Sequence, residues 1–436
     1  MKKHNFLVAI SVFICSFSAT AQELLTPEQA VTMAVAANYD IVIARNESEI
    51  ASIYNNNATA GMLPTINVTT GDVFNLPNIN QKFTTGQEVK RNWVPVNSFN
   101  AGVNMQWTIF DGMRMFATKE RLATLEAVSL LQLKDKIQTT VAQVLSAYYE
   151  IVRQKQYIKA LQESVKISEE RMTLAQKKFE VGYSDKTPLL QAKVDHAQQQ
   201  ISIVQQQTIL QNAKTALNQL LSREPQTEFE VIDEIVVDYT PDLQQMLDTV
   251  KNINFSVLSA QKNIDIARLQ HKEINAKRLP SIQFTSGYNF TQNNSKAGLQ
   301  LFNRSYGPTF GLNAVIPVFN GGMVKKELEA SAVAIANSEV QLEKLKKEVD
   351  TRVVTAYRNY EYARKVWLLY EENVLLAQEN VTISLDRFRL NQSNSLEIKQ
   401  AQSSYEQALY DVILARYNAK LAEIELKRMN NALIAE

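Results

Sequence analysis

The sequence predicts a mainly α chain with a small β part, written twice, in which long antiparallel coiled helices alternate with two short blocks of strand. Three observations carry that class. Glycine and proline are confined to a few places. The apolar period is seven along the breaker-free runs and two in the blocks between them. The landmarks of the first half return at a fixed distance in the second.

The breaker-free runs define the helices. No glycine or proline lies between Met113 and Val181, and none from Met323 to the end of the chain at Glu436. Few folds other than long helices go so far without a backbone breaker, and at about 1.5 Å per residue a 65-residue helix is roughly 100 Å long. In the first run Leu130, Leu133, Ile137, Val141, Val144, Tyr148, Ile151, Ile158, Val165, Met172 and Phe179 settle into the heptad of a coiled-coil seam. Leu342, Leu345, Val349, Val353, Tyr360, Trp367, Val374, Val381 and Phe388 do the same in the second. Polar residues fill the other positions, and Trp367 reads as core. Helices are expected over 27–60, 113–181, 187–221, 242–278, 322–390 and 395–430. Thr26-Pro27-Glu28-Gln29 opens the first with a capping threonine, a proline at the first helical position and a glutamine three residues on.

The strands lie where glycine, proline and asparagine gather, at 61–112 and 279–322. Val103, Met105, Trp107 and Ile109 alternate with Asn104, Gln106 and Thr108. Phe310, Leu312, Ala314, Ile316 and Val318 share a face opposite Asn313. Ile66-Asn67-Val68 and Ile282-Gln283-Phe284 open matching upstream strands. Such segments, apolar on one side and polar on the other, fit membrane β-strands. They also fit a half-buried hairpin in a soluble domain, and alternation by itself leaves both open.

The two halves repeat. Leu63-Pro64-Thr65-Ile66 returns as Leu279-Pro280-Ser281-Ile282, at a separation of 216. From the end of the strands onward the separation is 209: Phe110-Asp111-Gly112 becomes Phe319-Asn320-Gly321, Phe179 becomes Phe388, and Gln191-Ala192 becomes Gln400-Ala401. The difference places a loop seven residues longer in the first strand pair, since loops absorb insertions that a helical seam does not. The expected division is an export signal at 1–21, a first repeat at 22–222, a connection at 223–241 in the equatorial region, and a second repeat at 242–436.

Lys2 and Lys3, the apolar stretch Phe6 to Ile14 and the small-x-small site Ala19-Thr20-Ala21 read as a secretory signal. Cys15 follows a bulky Ile14, which argues against a lipid anchor, and cleavage after Ala21 leaves no cysteine. Charge is balanced, 46 basic against 45 acidic residues, without a basic stripe, so nucleic acid is not an expected partner. Nothing after the signal is long and apolar enough for a transmembrane helix. Four strands per chain cannot close a barrel. In lipid an open sheet leaves its edge N–H and C=O groups unpaired at several kcal/mol each. Either the sheet is outside a membrane or several chains pool strands, and three chains would give an even twelve.

With those residues in place, the strand pair followed by Phe110-Asp111-Gly112-Met113 or Phe319-Asn320-Gly321-Gly322 at the head of a long helix resembles the TolC-type outer-membrane efflux proteins. So do Phe179-Glu180-Val181-Gly182 and Phe388-Arg389-Leu390-Asn391. The resemblance implies a homotrimer in the outer membrane of a Gram-negative bacterium, closed as a 12-stranded β-barrel in contact with lipid. It implies an α-barrel crossing the periplasm and docking on a periplasmic adaptor protein and an inner-membrane transporter. The function it implies is a passive duct of a tripartite efflux or type I-like export system.

The resemblance puts the turns near 182–187 and 391–395 at the periplasmic tip and marks Gly182, Asp185, Asn391, Asn394, Glu397 and Lys399 as candidate gate residues. Asn391 stands where the family has glycine, and asparagine also tolerates a left-handed turn. Glu397 aligns with an acidic position that forms a carboxylate ring in the family; its other reading is the last residue of a capping box from Asn394. Lys399 would dilute a negative field, and Gln400 stands where the family has a second acid. Asp185 reads as a cap or an exposed charge. Val103, Met105, Trp107, Ile109, Phe310, Leu312, Ala314 and Ile316 are the expected membrane-facing residues. Catalysis lacks an inventory: His196, read as solvated, and His271 lie in separate halves, and no phosphate loop, serine elbow or metal motif occurs, so no cofactor is expected. The remaining alternative is a periplasmic coiled-coil scaffold or adaptor without a pore.

Overall fold

The computed structural model describes residues 23–298 and 300–433; the export signal, Cys15 included, lies outside the described residues. The order of elements is β1 (Glu23–Leu25), α1 (Pro27–Ala37), α2 (Tyr39–Tyr54), β2 (Thr65–Asn75), β3 (Ile79–Lys82), β4 (Glu88–Arg91), β5 (Val96–Asp111), α3 (Arg114–Glu180) and α4 (Thr187–Leu220). It continues with β6 (Phe229–Val231), α5 (Leu243–Ile253), α6 (Phe255–Ala276), β7 (Ser281–Ser295), β8 (Phe302–Val315), α7 (Met323–Arg389) and α8 (Ser395–Met429). The molecule is mainly helical, and α3 and α7 each run for 67 residues. Among the described residues no helix is long and apolar enough to cross a membrane.

Two of the expected helices are each broken once, at Asn38 and Asn254. These asparagines are equivalent in the two repeats and adopt the same extended backbone, φ −61° and ψ 127° against φ −64° and ψ 122°. Each closes the preceding helix with its own N–H, to the carbonyl of Ala34 or Val250. The Asn254 side chain then accepts from the N–H groups of Ser256 and Val257 and starts the next helix. An asparagine that bonds to its own backbone competes with a continuing helix, and apolar periodicity does not register that. The capping box at Thr26 forms in both directions. Asp242, the equivalent of Thr26 in the second repeat, caps α5 at Gln245 N–H, 2.7 Å.

The chain divides into two compact units, neither of which coincides with one repeat. One takes Tyr39–Thr139, Pro241–Tyr357 and residues from 427 onward. It holds a four-stranded antiparallel sheet in the order β2-β5-β7-β8, with β3 and β4 forming a separate hairpin in the longer first loop. The pair β2–β5 runs from Thr65↔Gln106 to Asn75↔Val96. Advancing its strands by 216 and 209 gives Ser281↔Val315 and Thr291↔Ser305, both of which are pairs of β7 and β8. The two hairpins therefore share one register. Helices α2 and α6 repeat as well. Asn55, at the end of α2, accepts from Lys119 Nζ and donates to Glu126 on α3. Its equivalent on α6, His271, bonds Ser331 of α7 at 2.7 Å.

The other unit takes residues 23–38, Thr140–Thr240 and Arg358–Leu426. A short parallel pair, β1 with β6, is fixed by Tyr148, whose hydroxyl donates to the Leu25 carbonyl at 2.7 Å and accepts from the Ile232 N–H. Burial pushes the neighbouring Tyr149 hydroxyl up to about 12, with Glu423 adding to it. The seam residues Val141, Val144, Tyr148 and Ile151 are fully buried, whereas Leu130 and Phe179 at its ends are exposed. Trp367 departs from its expected place in the core: it is half-buried, with the Arg416 guanidinium 5.2 Å from its ring.

Candidate functional site

The helical hairpins α3–α4 and α7–α8 end in turns that match bond for bond. Gly182 and Asn391, equivalent in the two repeats, both take the left-handed conformation, φ +76° and +59°. Gly182 N–H donates to Phe179 O and Tyr183 N–H to Lys178 O; Asn391 N–H donates to Phe388 O and Gln392 N–H to Arg387 O. This pattern ends a helix by satisfying its last carbonyls, and it requires a positive φ. The starts of the returning helices also match. Asp185 accepts from Thr187 N–H at 2.9 Å. Its equivalent Asn394 accepts from the N–H groups of Leu396 and Glu397 at 3.1 and 3.0 Å.

Glu397 does not complete the expected capping box. Its carboxylate turns to Arg387 on α7, 2.5 Å away, because a guanidinium offers a stronger partner than a helix-start N–H. The two side chains are 37% and 48% exposed. Lys399 is also engaged, with Asp195 of α4 at 2.9 Å. The gate candidates thus form no single cluster: Gly182 and Asp185 shape one turn, Asn391 and Asn394 the other, and Glu397 and Lys399 face different partners.

Apart from Lys399, the ties within and between the two hairpins are made by residues that sequence reading passed over. Arg171 of α3 is 1% exposed and donates to Asp195 Oδ2, while Gln191 and Lys399 bond Oδ1. Burial works to raise the Asp195 carboxyl, but hydrogen bonds from Lys399, Gln191 and Arg171 hold it below the usual carboxylate range. One step along, Glu406 of α8 accepts from Ser164 of α3 and Gln199 of α4, and Gln402 donates to the Ser164 carbonyl. Arg389 pairs with Glu170, and Lys178 sits 3.6 Å from the Phe388 ring centroid while donating to the Phe388 carbonyl. His196, expected to be solvated, is half-buried, its Nδ1 3.0 Å from Ser168 Oγ. One signal was available. Ser164, Ser168 and Arg171 follow each other at helical spacing and are all buried, a polar stripe beside the apolar seam.

The second functional surface is the sheet. Its register sorts side chains by row: Ile66, Met105, Ser286 and Phe310 stand side by side, as do Asn67, Asn104, Gly287 and Thr309 in the next row. Trp107, Phe284 and Leu312 continue the first face and Thr108, Gln283 and Asn313 the second. In these rows one face is apolar apart from Ser286 and the other polar; farther along, Asp72, Gln292 and Arg304 share the first face with Phe99. Of the expected membrane-facing residues, Val103, Trp107, Ile109, Phe310, Leu312, Ala314 and Ile316 are exposed in the single chain and Met105 is half-exposed. β7 and β8 are 15 and 14 residues long, enough to cross a hydrocarbon layer that needs about 9–11.

The sequence pattern of the family described as outer membrane efflux protein matches residues 30–223 and 246–432. The chain belongs to the outer membrane efflux protein family. Among relatives, the outer membrane protein TolC of Escherichia coli is 20% identical over 347 residues, spanning 77% of this chain and 70% of TolC. Two solved structures share the fold. CusC, which forms a transmembrane channel, superposes with a TM-score of 0.75 at 18% identity, over 93% of this chain and 91% of that one. The outer membrane protein VceC of Vibrio cholerae gives 0.73 at 13% identity, over 93% and 95%. The two surfaces of this family member are a sheet with one largely apolar face and helical hairpins held together by polar ties.

Proposed function

We propose that this outer-membrane efflux protein is one subunit of a passive duct in which three copies pool four strands each into a 12-stranded barrel. The helical hairpins then extend into the periplasm, where an adaptor and an inner-membrane transporter deliver the substrate. The observation that carries the reading is the sheet: one face is largely apolar from the row of Val68 to that of Trp107, the other is polar, and β2 and β8 lie at its open edges. In lipid such edges must be paired, and a scaffold without a pore gives no reason for an apolar face across four strands. The division into repeats at 22–222 and 242–436 joined by 223–241 is supported by the shared hairpin register and by the two segments that match the family.

The duct is opened rather than driven. Its narrow end is the pair of turns around Gly182 and Asn391, and the ties through Asp195, Glu406 and Glu170 hold the two hairpins of a subunit together. Docking that separates the hairpins breaks those ties, and substrate diffuses through the water-filled interior. Because Glu397 is paired with Arg387, a ring of three such pairs carries little net field, and selectivity for cations is weak. Purified protein in planar bilayers should give a low-conductance pore from a stable trimer. A preparation that washes out of membranes without detergent and conducts nothing would overturn the reading.

A further inference from the structure

The two faces of the sheet divide their charges against expectation. From the row of Thr108 to that of Asn75 the polar face carries only Asn, Gln, Ser, Thr, Gly and Val. The charged residues between those rows, Asp72 and Arg304, stand on the other face, in one row with Phe99 and Gln292. Asp111, at the helix end of β5, is paired with Arg114. A charge that faces lipid is destabilising at mid-depth and tolerated near the borders of the membrane, so the height of that row decides what Arg304 can do.

The largely apolar rows begin with Phe110, Ile282 and Ala314. From Ile282 to Gln292 the strand rises roughly 34 Å at about 3.4 Å per residue, which is about 24–28 Å of height at a tilt of roughly 35–45°. The apolar band of an outer-membrane barrel is about 25 Å tall. On the shared-barrel reading Arg304 therefore stands at the border of the lipid on the loop side, away from the helix junctions at Asp111 and Ser281.

The side chain is held in place there. Arg304 Nε and Nη2 donate to Gln292 Oε1 at 3.1 and 2.9 Å. The guanidinium carbon lies 5.9 Å from the Phe290 ring centroid and 5.3 Å from that of Phe302. Phe99 in turn packs edge-on against Phe290, with centroids 6.1 Å apart. No carboxylate pairs with Arg304 among the described residues, since Asp72 stands three strands away in the same row, roughly 14 Å at about 4.8 Å per strand. Along β8, on the same face, Tyr306, Phe310 and Leu312 are 67%, 74% and 67% exposed. The strand thus presents an apolar strip that ends at an exposed, oriented guanidinium.

We infer that Arg304 binds the phosphorylated headgroup of an outer-leaflet lipid whose acyl chains lie along the β8 strip. A guanidinium fork matches phosphate oxygens, and Gln292 with the two rings fixes its plane while leaving Nη1 for the ligand. Free phosphate would use the fork and gain nothing from the strip; an uncharged lipid would use the strip alone. The loops at this end favour the same sign of ligand. Lys82, Lys90, Arg91 and Lys296 are exposed there, against Glu88, which stands opposite Lys82. The inference rests on the shared-barrel reading and adds to it a lipid chemistry and the residue that selects it.

Native mass spectrometry of the full-length protein in uncharged detergent tests it by counting bound lipid during titration. The probes are diphosphorylated lipid A, the same lipid with its phosphates removed, and inorganic phosphate as competitor. Wild-type protein should half-saturate with lipid A at about tenfold lower concentration than Arg304→Gln, and about tenfold lower than with the dephosphorylated lipid, as expected for the loss of one charged hydrogen-bonding contact. Arg304→Lys should fall between them, since it keeps the charge and loses the fork. Lys90→Gln, a charge control in the loop, should stay within about twofold of wild type. Inorganic phosphate equimolar with the lipid should displace none of it. Arg304→Gln that binds as wild type does, while still oligomeric and conducting in planar bilayers, overturns the headgroup site alone. So does equal binding of the dephosphorylated lipid, an equal loss in Lys90→Gln, or displacement by inorganic phosphate. Wild-type protein that is monomeric and without conductance overturns the shared barrel as well.

Discussion

Replacing Asp195 with asparagine removes the anion on which two cations converge. Arg171, its buried partner, is 1% exposed, and its Nε has no hydrogen-bond partner among the described residues, so the guanidinium is left poorly compensated. Breaking a buried pair by deleting one member costs about 3–5 kcal/mol, chiefly because the other charge stays buried. The Lys399 side chain is 45% exposed, so its share is no more than about 1 kcal/mol after solvent screening. A loss of about 3–5 kcal/mol raises the population with α4 detached by roughly 100- to 1,000-fold or more, at about 1.4 kcal/mol per tenfold. Hydrogen exchange over residues 160–200 and 395–410 reads the detachment, and single-channel conductance in planar bilayers reads its effect on the pore. Asp195→Asn should accelerate the first and raise the second. The double change Arg171→Met with Asp195→Leu should recover most of both, since a buried pair replaced by apolar groups of similar size costs little. Wild-type exchange in Asp195→Asn, or a double variant as loose as the single one, would refute this account of the tie.

Acidity should act on the same tie. The Asp195 carboxyl is held below its ordinary value of 3.8, so its contribution is complete above that value and is lost as pH falls through the lowered one. Conductance should therefore be flat from neutral pH to about 4 and rise only in stronger acid. Glu397→Ala should leave Arg387 unpaired and shift the pore toward anions in reversal-potential measurements, with stability changed by about 1 kcal/mol or less; unchanged selectivity would place the pair away from the conduction path. Gly182→Ala should cost about 1–2 kcal/mol in denaturant unfolding because its φ is +76°, although the space around it is open. Asn391→Gly, at φ +59°, should stabilise the opposite turn by up to about 1 kcal/mol.

Periodicity and breakers made the long helices legible to within a residue or two: the expected 113–181 and 322–390 became Arg114–Glu180 and Met323–Arg389. Strand alternation found the sheet and its apolar face for the same reason, since both depend on burial repeating along the chain. The breaks at Asn38 and Asn254 were not visible because they depend on one residue taking an extended backbone, fixed at Asn254 by local side-chain bonds and at Asn38 by a bond to the distant Leu220 carbonyl. The repeat could have exposed them, as both asparagines stand in register. At the tip, the turns and caps followed from local chemistry. The ties through Arg171, Asp195 and Glu406 did not, because they join helices distant in sequence and are not repeated in the other half. Asn380 stands at the position equivalent to Arg171, and Ser404 at that of Asp195.

The β8 strand ends at Val315 in the single chain, and that early end bears on how the protein is made. On the shared-barrel reading, a lone subunit carries a largely apolar sheet face and two bare strand edges through an aqueous compartment, a form prone to edge-to-edge aggregation. Its helices rest on local contacts and can form early, while the strands wait for non-local partners and form late. On the shared-barrel reading, completion of the sheet depends on how many subunits are present. Below a threshold concentration the chain should persist as a helical intermediate that needs an escort, and maturation should follow the kinetics of subunit encounter rather than those of a single chain.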